Sequence, residues 1–182
     1  MGDFVDFFNT AEKLKRVKRA GWVREGVPNA ESVADHSFST ALLCYILADS
    51  LKVNKDKIIK MALLHDLAEV EAGDNVSHRG DKIVSSIKNK LEKEERVMKK
   101  MFSKVDGEEY MNLWIEFTEQ KTREAIILKQ IDKLEMAFQA SEYENTIEPS
   151  KLDEFFINTK MNLKEPLLIE LFNELEKKRK NK

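Results

Sequence analysis

Three observations predict an all-α fold: apolar residues recur at three- and four-residue spacing almost throughout, only three prolines and six glycines punctuate 182 residues, and no stretch alternates as a strand would. At 42% hydrophobic content the chain can bury one substantial core, and no linker-like segment offers a place to divide it. The expectation is therefore a single domain of roughly seven to nine helices by segment counting.

Phe4, Phe7, Phe8, Ala11, Leu14 and Val17 mark a first amphipathic helix, which should end before a polar loop holding Gly21, Gly26 and Pro28. Ser32, with Asp35 three residues on, can cap a helix running to about Leu51. Asn54 can cap the next, running to about Ala72 and stopped by Gly73. The charged stretch from Asp81 to Phe102 reads as a solvated helix over an apolar stripe of Ile83, Ile87, Leu91 and Met98. A short helix over Glu108 to Phe117 carries Trp114 as a core anchor, and a longer one spans Thr122 to Glu142. Two more begin near Pro149 and Pro166, since proline suits a first helical turn. The final Lys-Lys-Arg-Lys-Asn-Lys reads as a frayed, solvated end.

Charge narrows the function. With 31 basic against 33 acidic residues, no global field draws the chain to nucleic acid or to an anionic membrane, so a small diffusible partner is expected. The lone Cys44 lies in an apolar run and reads as a buried small hydrophobe, which excludes a disulfide within the chain. The N-terminus lacks a signal-peptide pattern and no run approaches membrane-spanning length, so a cytoplasmic enzyme is expected.

Histidine is scarce: His36, His65 and His78. In Met61-Ala-Leu-Leu-His-Asp-Leu-Ala-Glu69, His65 and Asp66 interrupt an otherwise apolar helix, and burying both without partners would cost several kcal/mol. A divalent cation compensates them directly, because neutral imidazole and carboxylate are both good ligands. Ala34-Asp35-His36 repeats the pattern, and Asp132 breaks another apolar helical face in Ile126-Ile-Leu-Lys-Gln-Ile-Asp132. Each alone is more often a hydrogen-bonded core residue than a ligand. His78 and Arg79 fall in a polar loop, where His78 is expected to face solvent.

Four blocks in order carry a resemblance: Glu31-Ser-Val-Ala-Asp-His36, Leu64-His-Asp-Leu-Ala-Glu-Val-Glu-Ala-Gly-Asp74, Lys129-Gln-Ile-Asp132 and Gln139-Ala-Ser-Glu-Tyr-Glu144. With them the chain resembles the HD-domain phosphohydrolases, and within these the 5'-deoxyribonucleotidase-like group. The resemblance implies a helical bundle with a central metal site, its metal-binding core over about 32–142 and helices 149–182 packed on it. It implies His36, His65, Asp66 and Asp132 as metal ligands, and Glu69 and Asp74 as catalytic groups or ligands of a second cation. Spacing agrees for Glu69, which four residues along a helix stands one turn from His65. In the family an arginine and a tryptophan near the N-terminus touch phosphate and sugar. Arg19 and Trp22 are the counterparts here, in a loop that also holds Arg16 and Arg24, so which arginine binds phosphate stays open.

The activity so implied is metal-dependent hydrolysis of deoxyribonucleoside 5'-monophosphates. Two alternatives stand beside it: an HD enzyme acting on a cyclic nucleotide, triphosphate or alarmone, and a non-enzymatic helical module with a structural metal. Two nitrogens and two carboxylates suit manganese, cobalt, nickel, iron or zinc, and a hard second site would suit magnesium. A homodimer is expected from the family's habit and from the aromatic C-terminal segment with Phe155, Phe156 and Phe172.

Overall fold

A computed structural model describes residues 3–74, 78–79, 82–83 and 87–180. The described α-helices are α1 (Phe4–Ala11), α2 (Ala20–Arg24), α3 (Val33–Leu51), α4 (Lys55–Leu64), α5 (Glu69–Ala72), α6 (Ile87–Phe102), α7 (Glu108–Thr118), α8 (Arg123–Tyr143), α9 (Asp153–Asn162) and α10 (Pro166–Lys180). The all-α class stands. One antiparallel pair of two-residue strands, β1 (His78–Arg79) and β2 (Lys82–Ile83), adds a hairpin that the absence of alternation hid.

Capping chemistry sets the ends of the helices that carry the site. At the head of α3, Ser32 and Asp35 form a reciprocal capping box: Ser32 N–H donates to the Asp35 carboxylate at 2.8 Å, and Asp35 N–H donates back to Ser32 Oγ at 3.2 Å. Asn54 Oδ1 accepts from Lys57 N–H at 3.0 Å to start α4, and Thr122 starts α8 in the same way. Helix α3 packs on α4 and α8, while α9 and α10 lie against the other flank of α8.

Two apolar clusters result. One gathers Cys44, Ile58, Met61, Leu128, Ile131, Leu134 and Phe172, and the other gathers Val33, Leu67, Met98, Met101 and Trp114. Helix α3 gives Val33 to the second and Ala41 and Cys44 to the first, so His36 is placed at the seam between them. Burial pushes the Cys44 thiol up to about 12, in keeping with an inert core residue.

Several boundaries differ from the sequence reading. The first helix gives way at Glu12–Arg16 to a 3₁₀ turn, and the expected loop beyond it contains α2. The helix expected from Asn54 to Ala72 breaks at His65: Leu67 N–H reaches Leu64 O and Glu69 N–H reaches Asp66 O, the tighter i→i−3 pattern. The charged helix begins only at Ile87. The side chains of Ile83 and Ile87 lie outside the described residues, as does that of His78, while Leu91 is exposed and Val97 and Met98 carry the buried face. Pro149 opens a 3₁₀ turn, Pro149–Leu152, that leads into α9. The basic C-terminal run is helical to Lys180, and Arg179 is tied to Glu144 and Asp153 with its guanidinium 4.1 Å from the Phe156 ring centroid. Phe155, Phe156 and Phe172 are all buried, so they cannot form the dimer surface expected of them. The exposed apolar stripe lies instead on α3: Phe38, Leu42, Tyr45 and Ile46.

Candidate metal centre

The break after α4 turns the His65 and Asp66 side chains toward the head of α3 and the middle of α8. His65 Nδ1 is held by the Ala62 carbonyl oxygen at 2.6 Å. His36 Nδ1 lies 2.6 Å from Glu135 Oε2, one turn along α8 from Asp132. With both Nδ1 atoms anchored, both Nε2 atoms face inward, buried and without a hydrogen-bond partner. His36 Nε2 lies 3.2 Å from Asp132 Oδ1 and 3.7 Å from Asp66 Oδ2; His65 Nε2 lies 3.3 Å from Asp66 Oδ2. None of these approaches makes a hydrogen bond.

Ligand atoms of His36, His65 and Asp132 all fall within 4.8 Å of one another. Two buried ring nitrogens without hydrogen-bond partners, facing carboxylates, fit a divalent cation, since each orphaned nitrogen would otherwise carry a full desolvation penalty. Asp66 stands outside that tightest trio, yet one of its oxygens faces both histidines. Asp35, by contrast, is exposed and its charge serves the α3 cap, so the second His-Asp dipeptide supplies only its histidine.

The electrostatics follow from this crowding. Burial works to raise Asp66, but His65, Arg19 and His36 outweigh it and hold the carboxyl well below its usual range. Burial likewise opposes ionisation of Asp132, and Lys133, Lys129 and His36 overcome it. Lys129 Nζ and Lys133 Nζ both approach Asp132 Oδ2, at 3.2 and 3.4 Å, leaving Oδ1 for the histidine side. Burial and Arg19 act to lower His36, but the carboxylates of Asp132 and Glu135 carry it up to about 9. Glu69 goes the other way from the aspartates: burial first, then Asp66 and Asp74, push its carboxyl up to about 9. Its Oε1 lies 3.4 Å from Lys90 Nζ, and its buried Oε2 has no hydrogen-bond partner.

Arg19 lies at the rim. Its Nη1 donates to Asp66 Oδ2 at 3.3 Å and lies 3.9 Å from Asp74 Oδ2, which itself accepts from Ala20 N–H at 2.7 Å. Of the arginines considered, Arg24 is paired to Glu25 and Glu154, and Arg16 is exposed on the 3₁₀ turn. Trp22 departs from the sugar wall expected of it. The indole is 1% exposed, its ring lies 4.1 Å from Phe155 and 5.3 Å from Tyr143 between centroids, and its Nε1–H donates to Glu31 Oε1 at 2.8 Å. Both its surface and its polar atom are committed to the core, so no face is open to a ligand.

Sequence reasoning missed Glu135, Glu31, Lys90, Lys129 and Lys133. Glu135 had a readable signal, being a second charge three residues after Asp132 on the same apolar face; Lys90 had none, because it sits in an evenly charged helix.

Comparison with known proteins places the chain. The HD domain family model matches residues 11–175. The 5'-deoxynucleotidase HDDC2 of Dictyostelium discoideum is 40% identical over 99% of this chain and 100% of its own length. The human protein of that name is 35% identical over 96% of this chain and 85% of its own length. A solved Pyrococcus horikoshii protein superposes with a TM-score of 0.77 at 32% identity, covering 94% of this chain and 98% of that one.

Proposed function

The chain belongs to the HD domain family, and from that premise we propose that it is a metal-dependent 5'-deoxynucleotidase, hydrolysing deoxyribonucleoside 5'-monophosphates to deoxyribonucleoside and phosphate. One observation of the structure carries the reading: two buried imidazole nitrogens without hydrogen-bond partners meet the Asp132 carboxylate. The names of the relatives supply the substrate class.

In this reading His36, His65, Asp66 and Asp132 hold a divalent ion, with manganese, cobalt, nickel, iron and zinc compatible with the donor set and magnesium suited to a hard second site. A cation bound there supplies Lewis acidity toward the phosphoryl group. The protein does the rest. Glu69 Oε2, buried and unpartnered, would take the proton of the attacking water as a carboxylate, the form that the charge of a cation in the site would favour, or join Asp74 on a second cation. Arg19 turns a guanidinium held by long contacts to Asp66 and Asp74 toward the substrate phosphate. Lys129 and Lys133 keep Asp132 ionised, so that its Oδ1 stays a ligand.

Residues 1–182 are read as one HD domain, with the core at about 32–142 and the segment 149–182 packed on it. A homodimer and a cytoplasmic location complete the proposal; the exposed stripe Phe38, Leu42, Tyr45 and Ile46 supports the dimer. Among the described residues no helix is long and apolar enough to cross a membrane.

The test is a panel of matched deoxyribo- and ribonucleoside 5'-monophosphates, cyclic nucleotides and triphosphates, each assayed with several divalent ions. Deoxyribonucleoside monophosphates should turn over fastest. Metal uptake without hydrolysis of any ester would replace the enzyme with a helical module holding a structural ion.

A further inference from the structure

The two histidines of the site are anchored differently. His65 Nδ1 meets a neutral backbone carbonyl, whereas His36 Nδ1 meets the buried carboxylate of Glu135, both at 2.6 Å. His36 is fully buried and Glu135 nearly so, so this contact has no water to compete with it. A carboxylate only accepts hydrogen bonds, so the proton of this contact belongs to His36 Nδ1. In the neutral ring Nε2 then carries the lone pair, and Nε2 is the atom that faces Asp132 and Asp66.

A second carboxylate backs the first. One ligand atom each from Glu31, Glu135 and His36 lie within 4.8 Å of one another. Glu31 is fixed in turn from three sides: Trp22 Nε1–H donates to its carboxylate at 2.8 Å, its backbone N–H donates to the Tyr143 hydroxyl at 2.8 Å, and its carbonyl oxygen accepts from Arg19 N–H at 3.1 Å. The order from core to site is therefore Trp22, Glu31, Glu135, His36.

We propose that Glu135 is a positioning residue: its carboxylate fixes His36 as the Nδ1–H tautomer, orients the ring, and thereby sets the affinity of the site for a divalent ion. Glu31 and Trp22 form the layer that keeps this part of the core polar and rigid. The inference rests on the metal-site reading above but not on the hydrolase reading. Outer carboxylates of this kind raise the basicity of the ligand ring, and their removal typically weakens metal affinity by about 10- to 100-fold.

The experiment measures Zn²⁺ affinity by competition with a chelator, and the imidazole N–H resonances of the Zn²⁺-loaded protein by NMR, in wild type, Glu135→Gln and Glu135→Ala. Glu135→Gln keeps the volume of the side chain and guards against loss of fold, which the melting curve of each metal-free variant monitors. Expected for Glu135→Gln are about a 10- to 100-fold weaker Kd and an upfield shift of the far-downfield His36 Nδ1–H resonance, with the His65 resonance unmoved. A folded Glu135→Gln protein with wild-type Kd and an unshifted His36 resonance would overturn the proposal and make Glu135 an ordinary core residue. Zn²⁺ uptake without hydrolysis by wild type would sink the nucleotidase reading alone, and no uptake by wild type would overturn both.

Discussion

The site has a closed back and an open front, and the two are built from different contacts. Behind His36, the His36–Glu135 and Trp22–Glu31 contacts are 2.6 and 2.8 Å long and lie in the core, with the two carboxylates within 4.8 Å of each other. In front, Arg19 reaches Asp66 at 3.3 Å and Asp74 at 3.9 Å, Lys90 reaches Glu69 at 3.4 Å, and the Lys129 side chain, 3.2 Å from Asp132, is 49% exposed. Short buried hydrogen bonds hold a geometry; long, partly hydrated ion pairs can be exchanged for a ligand at little cost. The back should therefore set metal affinity and stability, and the front should set substrate affinity and rate.

The largest effect is expected where back and front meet, at Asp132. Asp132→Ala removes the carboxylate shared by His36, Lys129 and Lys133, and leaves the charge of the half-buried Lys133 uncompensated. Breaking a buried ion pair from one side costs about 3 to 5 kcal/mol, so the variant should lose bound metal, turnover and a large part of its thermal stability together. Metal analysis and a melting curve check this. Full metal content with normal turnover would remove Asp132 from the ligand set and erase the difference between back and front.

Glu69 is buried like the back yet belongs to the front. Glu69→Gln should keep the inner metal and lose about 10²- to 10⁴-fold in rate. It also carries a signature in pH. In the metal-free protein the Glu69 carboxyl is raised from 4.5 to about 9, so the folded state holds a proton that the unfolded chain releases. The stability from that proton is complete below about pH 4.5 and is lost as pH rises toward about 9. His36, raised from 6.5 to about 9, adds a loss of the same sign over the upper part of that window. The melting temperature of metal-free protein should thus fall between pH 5 and 9, and Glu69→Gln should flatten the slope without abolishing it. An unchanged slope would show that Glu69 is ionised and hydrated in the metal-free protein.

Sequence made the candidate ligands legible and the layer behind them obscure, for a physical reason. His65, Asp66 and Asp132 are polar interruptions of apolar helical faces, and periodicity marks such interruptions directly. The capping of α3 was equally local, since Ser32 and Asp35 lie one turn apart. Glu135 acts on His36 across 99 positions of sequence, and Lys90 on Glu69 across 21, which no local pattern encodes. The break of the 54–72 helix at His65 is hidden from such a reading, because Leu64, Leu67, Ala68 and Glu69 around it are good helix formers and tertiary placement overrides them. Trp22 differs again: the resemblance marks it for a ligand contact, while residues far off in sequence, Phe155 and Tyr143, pack against it.

Trp22 and Arg19 give the finest test, since three positions apart they lie on opposite sides of the division. Arg19→Ala removes a guanidinium that faces the front carboxylates. A charged hydrogen bond is worth about 1.5 to 3 kcal/mol, so kcat/KM should fall by about 10- to 100-fold, alike for deoxyribo- and ribonucleotides and mainly through KM. Trp22→Phe keeps an aromatic ring against Phe155 and removes the Nε1–H that Glu31 accepts. The loss of one buried hydrogen bond, with Glu31 left short of a donor, should cost about 1 to 3 kcal/mol of stability and leave the ratio of kcat/KM between the two sugars unchanged. The measurement is a denaturation curve beside matched kinetics on both monophosphates. A change in that ratio with unaltered stability would return Trp22 to the front, as a wall of the sugar pocket, and would show that the start of α2 opens in solution to admit substrate.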